Sequence, residues 1–131
     1  MANFQYRSGL GNVGSYQVSG RPFVSSSIVV PAESGAPAKI PFPSVTRSIT
    51  IRNDGAATIR CGFSINGISG STAANYFTLT QNASFKEEFK VASVYLISDS
   101  AATSTATIIA GLTGIDKASL TENWSGSIGV G

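Results

Sequence analysis

At 131 residues the chain has the length of one domain, and its charged share of 12% is about half the ~25% usual in soluble proteins. The net charge of +2 comes from basic residues scattered singly, without the stripe or cluster that nucleic-acid binders present. The absence of histidine, with a single cysteine at Cys61, excludes a Ser-His-Asp triad, a Cys-His pair, a histidine metal cluster and any disulfide within the chain.

Residues 1–14 are rich in Gly, Asn and Ser, with Phe4, Tyr6, Leu10 and Val13 spaced through them. Gly9, Gly11 and Gly14 interrupt any helical pattern, so this stretch reads as an N-terminal arm that docks on a neighbour or lies along its own domain. From residue 15 the hydrophobic period is two. Tyr16, Val18 and Phe23 alternate with polar groups, residues 27–30 form a β-branched run, and Pro31, Gly35 and Pro37 end it. Residues 39–42 start another strand that Pro43 cuts. Over 45–52, Val45, Arg47, Ile49 and Ile51 share one face. Asn53-Asp54-Gly55 follows, and Asp-Gly between alternating runs predicts a β-hairpin. Its return strand carries Ile59, Cys61, Phe63 and Ile65 on one face.

Residues 66–75 read as a polar, glycine-rich loop. Tyr76 to Thr80 alternate again, and Phe85, Glu87, Phe89 and Val91 face one way in the next strand. Residues 94–98 are short and apolar, as a central strand would be. The last strand, 105–112, has Ala106, Ile108, Ala110 and Leu112 in phase, and one helical turn is predicted near 116–120. About eight strands with turn signals roughly every ten residues imply an all-β fold. The expected architecture is an eight-stranded antiparallel β-sandwich of jelly-roll type, with an immunoglobulin-like sandwich as the alternative. It divides into the arm at 1–14, the sandwich at 15–114 and a C-terminal tail at 115–131.

No constellation for catalysis stands out, and the chain is not expected to be an enzyme. Glu87 and Glu88 are adjacent on a strand, so their side chains should diverge rather than converge on one bond. Gly9, Gly11 and Gly14 fit Gly-x-Gly-x-x-Gly, but without a strand before or a helix after it the dinucleotide motif fails its own context. Asn82-Ala83-Ser84 and Asn123-Trp124-Ser125 match the glycosylation sequon and, with no apolar signal-peptide run at residues 1–7, are read as chance matches. No metal, cofactor, nucleic acid or membrane is expected. Low charge suits surfaces that become buried against other protein, because charge is costly to desolvate there; it also occurs in β-domains that simply carry little charge. Phe4, Tyr6, Tyr16, Arg21, Phe23 and Trp124 are the candidate contact residues; equally, the aromatics could close the ends of the core.

Three stretches carry a resemblance: residues 14–23 (Gly-Ser-Tyr-Gln-Val-Ser-Gly-Arg-Pro-Phe), 42–51 (Phe-Pro-Ser-Val-Thr-Arg-Ser-Ile-Thr-Ile) and 110–115 (Ala-Gly-Leu-Thr-Gly-Ile). In wording and order they resemble small single-jelly-roll structural proteins of aquatic viruses and phages, which form capsid vertices (pentons) or decorate the shell. The resemblance implies a homo-oligomer, trimer or pentamer, made in the host cytoplasm and placed in the virion against a major capsid protein. The alternative function is a carbohydrate- or receptor-binding module of a fibre or surface protein, with Trp124, Tyr16 and Tyr76 as stacking platforms.

Overall fold

A computed structural model describes residues 21–69, 75–126 and 128–130. Eight strands form two four-stranded antiparallel sheets packed face to face. The strands are β1 (Pro22–Val30), β2 (Ala38–Pro41), β3 (Ser44–Asn53), β4 (Ile59–Gly62), β5 (Tyr76–Leu79), β6 (Ser84–Glu87), β7 (Ser93–Ser98) and β8 (Ser104–Asp116). One sheet runs β1-β8-β3-β6 and the other β2-β7-β4-β5. The first strand thus lies beside the last, the second beside the seventh, the third beside the sixth and the fourth beside the fifth. A long antiparallel ribbon wrapped around a core has this pairing.

The inward rows supply that core. Ile49 and Ile51 of β3, Ile59 and Cys61 of β4, Val94 and Leu96 of β7, and Ala106, Ile108, Ala110 and Leu112 of β8 are all buried in one cluster. At the β1–β2 side Phe23 meets Phe42 edge to face, with ring centroids 5.1 Å apart. At the opposite side Phe77 of β5 and Phe85 of β6 bridge the two sheets at 4.4 Å, and Phe89 and Phe63 continue the row. Aromatic rings at these edges close the sandwich where neither sheet has a further strand to cover it.

The expected hairpin at Asn53-Asp54-Gly55 does not form. β3 and β4 lie in different sheets, and residues 54–58 carry the chain across the sandwich. The cause is the Asn53 side chain, which is fully buried and uses its amide four times. Its Nδ2 donates to the carbonyls of Ala57 (2.7 Å) and Leu79 (2.9 Å), and its Oδ1 accepts from Gly55 N (3.1 Å) and Ser104 Oγ (2.9 Å). Gly55 matters here for space. A Cβ on it would sit 2.1 Å from Ser104 Oγ, so only glycine allows the corner to close on β8. Asp54 fastens the corner from outside, accepting from Arg52 Nε (2.6 Å) and from the Thr107 hydroxyl (2.5 Å).

Further departures have local causes. The register of β3 on β8 shifts on either side of Thr46, so Val45 leaves the face of Ile49 and Ile51 and joins Ile115 and Leu120 in a second, smaller core. The strand expected through Val91 stops at Glu87, because Thr46 Oγ1 accepts from Val91 N (3.2 Å) and donates to the Phe89 carbonyl (2.7 Å). The return strand expected through Ile65 stops at Gly62; Ile65 is exposed and opens a short helix, α1 (Ile65–Ser69), that runs into the expected 66–75 loop and buries Ile68 over Gly62. β8 itself runs through the boundary expected at 114 to Asp116, and a 3-10 segment (Lys117–Trp124) follows it directly. Tail and sandwich share the second core.

Asn53→Ala should destabilise the fold by about 2–4 kcal/mol, since it orphans buried carbonyls and an amide at once; urea denaturation reads this directly. The Asp54 carboxyl is held below its ordinary value, first by the Thr107 hydroxyl and then by Arg52. A lowered folded value means stability that is present above the unfolded carboxylate range and lost as pH falls through the folded one. Asp54→Asn should therefore lower the melting temperature at pH 7, with the gap to the native chain closing below about pH 4.

Candidate assembly surface

Of the expected contact residues, Phe4, Tyr6 and Tyr16, with the arm, lie outside the described residues. Arg21 is exposed, and its carbonyl accepts from Leu112 N (2.9 Å), which continues the β1–β8 ladder by one residue. Phe23 points inward to Phe42, so it closes the core. Trp124 is 40% exposed and donates its indole N–H to the Lys90 carbonyl. No hydrogen bond, ion pair or ring contact joins Arg21, Phe23 and Trp124 among the described residues. They do not form one site.

The surface that stands out is the outer face of the β1–β8 pair. No charged residue occurs in Pro22–Val30, nor in β8 before Asp116. Val24 and Ile109 lie directly opposite each other across the ladder, 64% and 47% exposed, and Val29 adds a third apolar side chain at 69%. Around them are Ser and Thr side chains, which lose little on desolvation when they find partners. Val24 and Val29 are five residues apart, so an unbroken strand would send them to opposite faces. An extra residue between Ser25 and Ile28, with Ser27 at φ 55°, resets the phase and turns both outward. Reading residues 27–30 as a plain β-branched run misses this; the three consecutive serines are the one sequence signal for it.

On the other sheet Arg60 lies over the Tyr76 ring (4.8 Å to the centroid) and pairs with Asp99 (2.5 Å). That face of Tyr76 is occupied. The tail is locked by Asn123, whose Nδ2 donates to the carbonyls of Phe63 and Ser93 (2.8 Å each) and whose Oδ1 accepts from Ala92 N (2.7 Å). The Asn123 sequon thus has its acceptor nitrogen buried and spent, whereas Asn82 sits exposed in a turn at φ 63°. Among the described residues, no group of three from His, Cys, Asp and Glu could hold a metal ion.

The sequence matches no protein-family model, and no curated protein matches it.

Cys61 is fully buried between the sheets, and burial pushes its thiol up to about 12. Thiolate is the reactive form, so Cys61 should resist a soluble thiol reagent at pH 8 in the folded protein and react at once in denaturant. Rapid labelling of the native chain would show that the sheets open around β4.

Proposed function

We propose that the protein is a structural subunit of a virus particle, a single jelly roll that assembles with copies of itself through the outer β1–β8 face and seats against the main shell protein. The strand orders support the jelly-roll reading. An eight-stranded double Greek key pairs first with last and second with seventh, whereas a constant-type immunoglobulin sheet sets the first strand beside the second. That architecture also serves lectins and cupins, so fold alone does not carry a function. The observation that carries this one is the charge-free face with Val24 opposite Ile109, which no described residue covers. The resemblance of residues 14–23, 42–51 and 110–115 to virion proteins points the same way.

Magnitudes bear on the mode of assembly. Burying the exposed parts of Val24, Val29 and Ile109 is worth about 1 kcal/mol each. Immobilising one partner costs roughly 4–15 kcal/mol. A single contact of this kind is weak, and a closed ring, which gives every subunit two contacts, is the economical way to hold it. A pentamer fits a vertex, and a trimer fits shell decoration.

Light scattering behind a sizing column should find a closed oligomer. Ile109→Lys should shift it to monomer while leaving the melting temperature within a few degrees of the native value, because the side chain points away from the core. Antibody against the chain should label particles purified from the cells that express it. A strict monomer that is absent from such particles would sink the reading.

A further inference from the structure

Two hollows meet on the outer face of the second sheet. One, of about 340 Å³, lies between β7 and the 3-10 segment; the other, of about 460 Å³, lies between β7 and α1. Lys39 and Tyr95 line both. They face each other in register on β2 and β7, with Lys39 Nζ 6.0 Å from the centre of the Tyr95 ring. Ser93, two residues earlier on β7, belongs to the same face and lines the first hollow. It is 4% exposed, and its hydroxyl has no hydrogen-bond partner among the described residues. A buried hydroxyl without a partner costs about 1–3 kcal/mol, and such groups in native folds call for an explanation. A ligand oxygen in the hollow supplies one.

The remaining wall sets the ligand's chemistry. Asp116 and Lys117, where β8 passes into the 3-10 segment, add a carboxylate and a second ammonium. One Asp116 oxygen accepts from Ala118 N (3.0 Å), and the other is open to a hydroxyl donor. Two cations against one anion favour a negatively charged ligand. The Asp116 carboxylate disfavours a phosphate dianion, and the hydroxyl of Ser93, the phenol of Tyr95 and the apolar Pro41 suit a sugar ring with both hydroxyl edges and a C–H face. The volume falls within the roughly 300–1,000 Å³ of small-molecule sites. We propose that this cleft binds an acidic saccharide, with its carboxylate between Lys39 and Lys117 and its hydroxyls on Ser93, Tyr95 and Asp116. The site lies on the opposite sheet from the β1–β8 face and does not depend on how the chain assembles.

Calorimetric titration of the full chain with sialyllactose, lactose and inorganic phosphate tests this. Sialyllactose should bind, lactose should bind at least about tenfold more weakly, and phosphate should not compete. Lys39→Met, an exposed position that leaves the core untouched, should weaken sialyllactose about tenfold, and Ser93→Val should do so with the melting curve retained. Equal binding of sialyllactose and lactose, displacement by phosphate, unchanged affinity in Lys39→Met, or silence toward sialyllactose would each overturn the proposal.

Discussion

The ladder between β3 and β8 is the contact on which the rest of the molecule depends. β8 is thirteen residues long, lies between β1 and β3, and presents Ala106, Ile108, Ala110 and Leu112 to the core. The two alanines alternate with larger side chains beside the isoleucines of β3 and opposite Ile59 of β4, so small and large groups interdigitate in the core. Its first residue, Ser104, donates to the buried Asn53 amide, and its last residues carry the chain into the second core under Leu120. Corner, sheet and tail are therefore fixed by one strand, and displacing it would loosen all three.

Most of the strands were legible because alternation survives in any half-buried strand. β2, β5 and β8 stand where apolar residues recur every second position, β7 where a short apolar run marks a central strand, and the prolines at 31, 37 and 43 lie just outside strands. Connectivity was harder to see. Asp54-Gly55 has the composition of a hairpin turn, yet Gly55 serves a close approach to Ser104, and nothing local in the sequence separates those two uses. Long-range partners, fifty residues away, decide the matter. The same holds for Thr46, whose hydroxyl ends the ladder after Glu87 by taking both Val91 N and the Phe89 carbonyl.

Surface function was less legible than the fold. In the sequence the aromatics are the contact candidates, yet Phe23 packs against the core, because an aromatic at a strand end can close a sandwich as readily as it can anchor a partner. The apolar face that the described residues leave uncovered is aliphatic, and a bulge brings Val24 and Val29 to one side of it. Ser93 is invisible as a sequence feature. Its interest comes from a buried hydroxyl without a partner among the described residues, beside two lysines that the register of β2 on β7 and the course of the tail bring together.

The bulge at Ser27 has a second effect, on the outer edge of β1, which pairs with no other described strand. An intact nine-residue edge without charge would offer its unpaired amides and carbonyls to another chain, strand upon strand, in an unending row. The extra residue breaks the spacing of those groups and twists the edge, so no regular partner can follow its whole length. The other three edges, β2, β5 and β6, are four residues each, and β2 ends in Pro41. Among the described residues every sheet edge is therefore short or interrupted, which disfavours open-ended, strand-upon-strand growth into a fibre.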